Sequence, residues 1–177
     1  DRGAVCVLKD KGKVRELEQR FSAYGDERFR QQATLGIAHT RWATHGTHTA
    51  ENAHPHTDQS GRIAMVHNGI IENYAAIRGR LDAKGHRFRS QTDSEVLAHL
   101  IGALYQGNLF DAVCAALKHV EVTYGIAVLS ADDPDRIVVA RKGSPLVIGM
   151  GDGETVVASD VAAIIAHTRQ VVYLDDD

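Results

Sequence analysis

The chain has 177 residues, 44% hydrophobic and 24% charged, with a formal net charge of −3. That length holds one domain with a sizeable core, and the acidic balance argues against a nucleic-acid or anionic-membrane binder, which would show a basic face. No apolar run nears the ~18 residues that span a bilayer, no signal-peptide pattern is present, and two cysteines, Cys6 and Cys114, make no disulfide framework, so a reducing, cytoplasmic setting is expected.

The first apolar run, Ala4 to Leu8, reads as a buried strand. It follows only Asp1-Arg2-Gly3, and so abrupt an opening is expected of an excised piece of a longer protein. Val14, Leu17 and Phe21 mark a short first helix, and Thr34 to Ala38 a second strand. That strand leads into His39-Thr40-Arg41-Trp42-Ala43-Thr44-His45-Gly46. A core segment would not carry so many polar groups, because burying them unpaired costs several kcal/mol each, on the order of 2–7. A solvated loop rarely needs an indole. The combination points to a loop that folds over a small polar ligand.

Ile63 to Val66 is the next buried strand, delivering His67-Asn68-Gly69-Ile70-Ile71-Glu72-Asn73 to its end. That segment is expected to open a helix marked by Ile70, Tyr74, Ile77 and Leu81 and ending near Gly85. A third helix carries Val96, Leu97, Leu100, Ile101 and Leu104, with Asp93 or Ser94 as its cap and Gly107 as its stop. A fourth carries Leu109, Phe110, Val113, Cys114 and Leu117. Strands follow at Gly125 to Leu129, Ile137 to Ala140, Leu146 to Ile148, Thr155 to Ala158 and Val171 to Leu174, with Gly149 to Gly153 as a hairpin turn. Most are apolar throughout, which fits strands covered on both faces. Helices followed by a run of strands argue for an α+β fold.

Three segments can carry chemistry. A side-chain amide beside a backbone N–H, as at Asn68 and Gly69, makes a workable oxyanion hole, although Asn-Gly is also a common tight turn. Asp93 can hold an ammonium group or simply favour a helix N-terminus. Arg41 presents a planar fork suited to a carboxylate, or pairs structurally with an acid. Together Arg41 and Asp93 match the two charged ends of an α-amino acid. Cys6, inside an apolar strand, and Cys114, on an apolar helical stripe, read as small hydrophobes rather than nucleophiles. Six of the ten histidines fall between His39 and His67, yet there is no His-Glu-x-x-His and no zinc-spaced cysteine pair, so neither metal nor cofactor is expected.

The segments His39 to Gly46, Asn52-Ala53-His54-Pro55-His56, His67 to Asn73 and Thr92-Asp93-Ser94-Glu95 resemble the glutaminase (class II glutamine amidotransferase) domain of the glucosamine-6-phosphate synthases, the isomerising glutamine–fructose-6-phosphate aminotransferases. Thr123-Tyr124-Gly125, Arg141 to Leu146 and Ala158-Ser159-Asp160 agree, in order, so the resemblance runs over nearly the whole chain. It implies an N-terminal-nucleophile-hydrolase-like four-layer sandwich, two stacked antiparallel sheets between helical layers, of which the first strand and helix have no counterpart here. Residues 1–174 then form the amidotransferase domain, and 175–177 start a linker to a sugar-phosphate isomerase domain through which the intact protein forms a homodimer.

The resemblance also implies roles. Arg41 binds the glutamine α-carboxylate and Asp93 its α-amino group. The Asn68 side chain and Gly69 N–H form the oxyanion hole. Thr44 and His45 line the site, Trp42 sits on a loop that closes over L-glutamine and gates the ammonia path, and His54 is a pocket residue. Ammonia passes to fructose 6-phosphate to make glucosamine 6-phosphate. The family nucleophile, a cysteine at the mature amino terminus, has no match in this sequence. The chain as written is therefore expected to bind glutamine without hydrolysing it. The alternative is a non-catalytic glutamine-binding or interaction module derived from the same family.

Overall fold

The computed structural model describes residues 3–23, 33–42 and 46–176. In chain order its elements are α1 (Val14–Ala23), β1 (His56–Thr57), β2 (Ile63–Ile71), α2 (Tyr74–Ala83), α3 (Asp93–Leu104), α4 (Leu109–Leu117), β3 (Val122–Ser130), β4 (Asp133–Lys142), β5 (Val147–Met150), β6 (Thr155–Ala158), a 3-10 turn (Val161–Ala163) and β7 (Val171–Tyr173). They form two antiparallel sheets, one ordered β1-β2-β3-β4 and one β6-β5-β7. This is the α+β arrangement of two antiparallel sheets with helices that the sequence predicts. No helix among the described residues is long and apolar enough to cross a membrane.

The core lies where α2, α3 and α4 cover the four-stranded sheet. Helix α3 packs on β1 and β2, with α2 and α4 on either side of it. Its stretch from Val96 to Ala98, together with Ile101, is buried, as befits a helix that is apolar nearly all round. Strand β3 sends Tyr124, Ile126 and Val128 inward at the two-residue period of a strand, and Ile63 and Met65 of β2 join them. The Gly149–Gly153 hairpin joins β5 to β6 as expected.

Several expectations fail for physical reasons. Residues 4–8 and 34–38 belong to no helix or sheet, and Cys6 is exposed rather than buried. An apolar run becomes a buried strand only where a neighbour completes its ladder, and the described residues supply none there. Cys114 is half-buried on α4. Strand β2 does not stop at Val66 but runs on through His67, Asn68, Gly69 and Ile70 to Ile71, paired with β3 throughout. Asn68-Gly69 is therefore strand, not turn, and Ile70 lies on no helix. The cap of α3 is Thr92, whose hydroxyl accepts the Glu95 N–H, and neither Asp93 nor Ser94. Burial on both faces holds for most of β2 but not for β4 or β6, which are largely half-exposed. Their valines reflect strand propensity as much as burial. Asp176, in the expected linker, accepts the Gly143 N–H at 2.8 Å and pairs with Arg141 at 2.9 Å.

A second, polar block lies at the start of α3. His54, His56, His67, Thr92, Asp93, Ser94 and Glu95 are all buried there. Burial holds the His54 and His67 imidazoles below their usual range and pushes His56 down to about 3. At its edge, Asp58 accepts backbone N–H groups from Ser60, Arg62 and Ile63, shaping the β1–β2 turn. Gly102 of α3 sits against it, and a Cβ there would lie 2.6 Å from the Asp58 Cβ.

Two outcomes follow for stability. Gly102→Ala gains helix propensity of about 1 kcal/mol, yet the contact with Asp58 should make the variant less stable by about 1–3 kcal/mol in urea denaturation; equal or higher stability would show that the turn gives way freely. For pH, an unfolded imidazole takes up a proton near 6.5 whereas these stay neutral when folded. The unfolded state then binds more protons below that pH, so stability is fully present above about 6.5 and falls by about 1.4 kcal/mol per unit per histidine on acidification. Urea midpoints should drop from pH 7 to pH 5, and an unchanged midpoint would contradict the neutral state of these rings.

Candidate functional site

Three stretches of chain converge beside the polar block: residues 39–42, the end of β2, and the first turn of α3. They enclose a cavity of about 310 Å³ lined by His39, Thr40, Arg41, Trp42, His54, His67, Asn68, Gly69, Ile70, Thr92, Asp93, Ser94 and Thr123. Six residues singled out from sequence, Arg41, Trp42, His54, Asn68, Gly69 and Asp93, are thus brought to one wall-to-wall space. Thr44 and His45 lie outside the described residues. Among the described residues no ion pair joins Arg41 to Asp93.

Each residue has an identifiable support. Gly69 needs to be glycine: its φ is 138°, and a Cβ would collide with the Thr123 carbonyl oxygen on the paired strand. Because the side-chain period of a strand is two, that pairing also fixes which way Asn68 points. The Asn68 amide oxygen lies 2.8 Å from His39 Nε2, and its backbone carbonyl accepts from the Ser144 hydroxyl at 3.4 Å. Asp93 accepts the Ile71 N–H at 2.8 Å on one oxygen and the Ser94 N–H at 3.0 Å on the other, fastening the end of β2 to the start of α3. The Ser94 hydroxyl adds a longer contact of 3.5 Å to the second oxygen, and a carboxylate with about four acceptor positions still keeps one for a cationic ligand.

Arg41 reaches the Thr47 carbonyl at 3.2 Å. The same carbonyl accepts from Asn52, whose own side-chain oxygen takes the Gln91 N–H at 2.9 Å. Asn52 is therefore the staple that holds the Arg41 segment against the approach to α3. Trp42, 90% exposed, stands at the cavity mouth.

Behind the cavity the imidazoles pack ring on ring. His39 and His54 have centroids 4.2 Å apart, and His54 and His56 4.7 Å apart, edge to face. His67 is fixed by a 2.9 Å hydrogen bond to the Ser94 hydroxyl, and His56 by one of 3.0 Å to Thr92. Desolvation lowers the His39 pKa, and the Arg41 charge adds to that. The site is thus cationic at Arg41, anionic at Asp93 and electrically neutral in between. Sequence reasoning quoted His39, His67 and Thr92 within their motifs but gave them no role, read Ser94 only as a possible helix cap, and missed Thr123 as a wall. The available signal was their adjacency to Asn68 and Asp93, since a buried polar wall needs polar neighbours to satisfy it.

The cavity thus carries a guanidinium at Arg41, a carboxylate at Asp93 and the amide of Asn68 on its lining. Comparison with known proteins gives the family. Residues 9–177 match the glutamine amidotransferase domain family. The chain is 54% identical to the isomerising glutamine–fructose-6-phosphate aminotransferase of Chlorobaculum tepidum, covering 98% of this chain and 29% of that protein. It is 51% identical to the protein of the same name from Methanothermobacter thermautotrophicus, again over 97% of the chain and 29% of the relative. It thus spans less than a third of the length of these curated relatives. Among solved structures, glutamine phosphoribosylpyrophosphate amidotransferase from B. subtilis, complexed with ADP and GMP, superposes with a TM-score of 0.62 at 30% identity, over 77% of this chain and 29% of that one. With the family match covering nearly every residue and relatives half identical along it, this chain belongs to the glutamine amidotransferase domain family.

Proposed function

We propose that the chain binds L-glutamine in this cavity and is the glutamine-hydrolysing half of a cytoplasmic, homodimeric isomerising glutamine–fructose-6-phosphate aminotransferase. In the intact protein the released ammonia reaches fructose 6-phosphate on a sugar-phosphate isomerase domain and yields glucosamine 6-phosphate. The observation that carries this reading is the convergence of Arg41, Asn68, Gly69 and Asp93 on one space of about 310 Å³, at the small end of the roughly 300–1,000 Å³ range of ligand pockets.

The roles follow from charge and shape. Arg41 takes the α-carboxylate and Asp93 the α-ammonium, which leaves the side-chain carboxamide to lie along the wall of Asn68 and Gly69. When a nucleophile adds to the carboxamide carbon, negative charge gathers on its oxygen. The Asn68 amide and the Gly69 backbone N–H are the donors that stabilise it, an effect worth roughly 3–4 kcal/mol per donor. Trp42 closes the mouth once glutamine is bound and keeps ammonia from escaping. His54 lines the same cavity. Neither Cys6 nor Cys114 lines the cavity, so these residues bind and polarise glutamine without themselves attacking it.

Trp42 is the only tryptophan, which makes closure directly visible. Adding L-glutamine to the chain should shift its fluorescence to shorter wavelength. Unchanged emission at a calorimetrically saturating concentration would rule out the lid. Asp93→Asn keeps an oxygen for the Ile71 N–H but loses the charge, so glutamine affinity should fall about tenfold or more, the value of a charge-assisted hydrogen bond of about 1.5–3 kcal/mol. Undiminished affinity in calorimetry would remove Asp93 from the site.

A further inference from the structure

An asparagine amide has nearly the same shape either way round, with oxygen and nitrogen exchanged. For a site that must stabilise negative charge the two orientations are opposites. One aims N–H donors at the ligand, and the other aims an oxygen whose partial charge repels it. Something beside Asn68 has to choose.

We propose that His39 is a positioning residue whose Nε2–H donates to Asn68 Oδ1 and thereby turns the Asn68 amide nitrogen into the cavity. The inference rests on reading that cavity as a glutamine site. The contact is 2.8 Å, and Asn68 Oδ1 can only accept. Among the described residues the amide nitrogen has no protein partner, and Asn68 lines the cavity. The other ring nitrogen, Nδ1, is buried without a hydrogen bond. The His67 backbone carbonyl is near that nitrogen without closing a hydrogen bond to it, whereas Nε2 has a 2.8 Å partner in Asn68 Oδ1, which favours the Nε2–H form.

The ring is also held in place from behind. His54 packs on it, His56 packs on His54, and His56 Nε2 bonds to the Thr92 hydroxyl at 3.0 Å. Thr92 continues to the Ser90 hydroxyl at 2.9 Å, and Ser90 to the Glu95 carboxylate at 2.7 Å. An unbroken run of contacts thus links a buried carboxylate on α3 to the amide on β2. Burial and the neighbouring Arg41 charge keep His39 neutral, so the ring has a single N–H to give and the bond to Asn68 decides where it sits.

The test needs no variant for its first part. In a histidine ¹⁵N–¹H correlation spectrum, with the His39 signal assigned from its loss in His39→Gln, the wild-type ring should show a protonated Nε2 and a bare Nδ1. The opposite form, with Nδ1–H turned to the His67 carbonyl, would overturn the proposal. The second part compares two ligands by calorimetry: L-glutamine, and L-norvaline, which has the same ammonium and carboxylate but no side-chain carbonyl. His39→Leu should weaken glutamine about tenfold, the value of one hydrogen bond of about 1.4 kcal/mol, and leave norvaline unchanged. His39→Gln, which offers an N–H near the Nε2 position, should recover most of that loss. Equal weakening of both ligands, or no recovery in His39→Gln, would reduce His39 to packing. If wild type binds no glutamine at all, the functional reading falls, while the tautomer still decides the His39–Asn68 bond.

Discussion

The first turn of α3 is buried, and its backbone N–H groups must be satisfied without water. A helix start leaves four such donors with no intrahelical partner, and here the incoming segments 89–91 and the end of β2 bring more. The residues from Thr92 to Glu95 meet this demand. Thr92 caps the Glu95 N–H, Asp93 takes those of Ser94 and Ile71, and Glu95 takes those of Arg89 and Ser90. The polar character of the site begins as a solution to this problem. Once two carboxylates and several hydroxyls are committed to the interior, the neighbouring imidazoles of His56 and His67 find partners in Thr92 and Ser94. The cavity opens where these groups run out of protein to bind.

The cavity lining and the fold's stability therefore draw on the same atoms. Asp93 is at once a clamp between β2 and α3 and the anionic end of the cavity, with spare acceptor capacity serving the second role. The helical reading of Asp93 holds, since it opens α3, and its carboxylate also faces the cavity. For Asn68-Gly69 the turn reading is displaced. The pair sits within a strand, where the donor presentation comes from pairing with β3 rather than from a tight bend.

Legibility in the sequence followed the strength of local patterns. Helices α2, α3 and α4 could be read from their apolar spacing because each buries one stripe or more against the sheet. The extension of β2 past Val66 could not, since His67-Asn68-Gly69 looks like the polar end of a strand. Only pairing with Ile126, Gly125 and Tyr124 keeps it extended. Residues 4–8 show the converse, an apolar run with no ladder to join. The charged and amide-bearing members of the site were legible through their motifs. His39 and Thr123 were not, because their places depend on contacts between segments far apart in the chain.

The collision that a side chain at Gly69 would make with Thr123 means that the donor wall exists only in one pairing of β2 with β3. Slipping β2 by a single residue would turn Asn68 to the opposite face and set His67 in its place. A slipped chain could bury a similar number of apolar atoms, yet it would have no pocket. Any ligand that the correct pocket holds therefore lowers the free energy of the true register alone. In that sense a bound ligand acts as a proofreader of strand alignment.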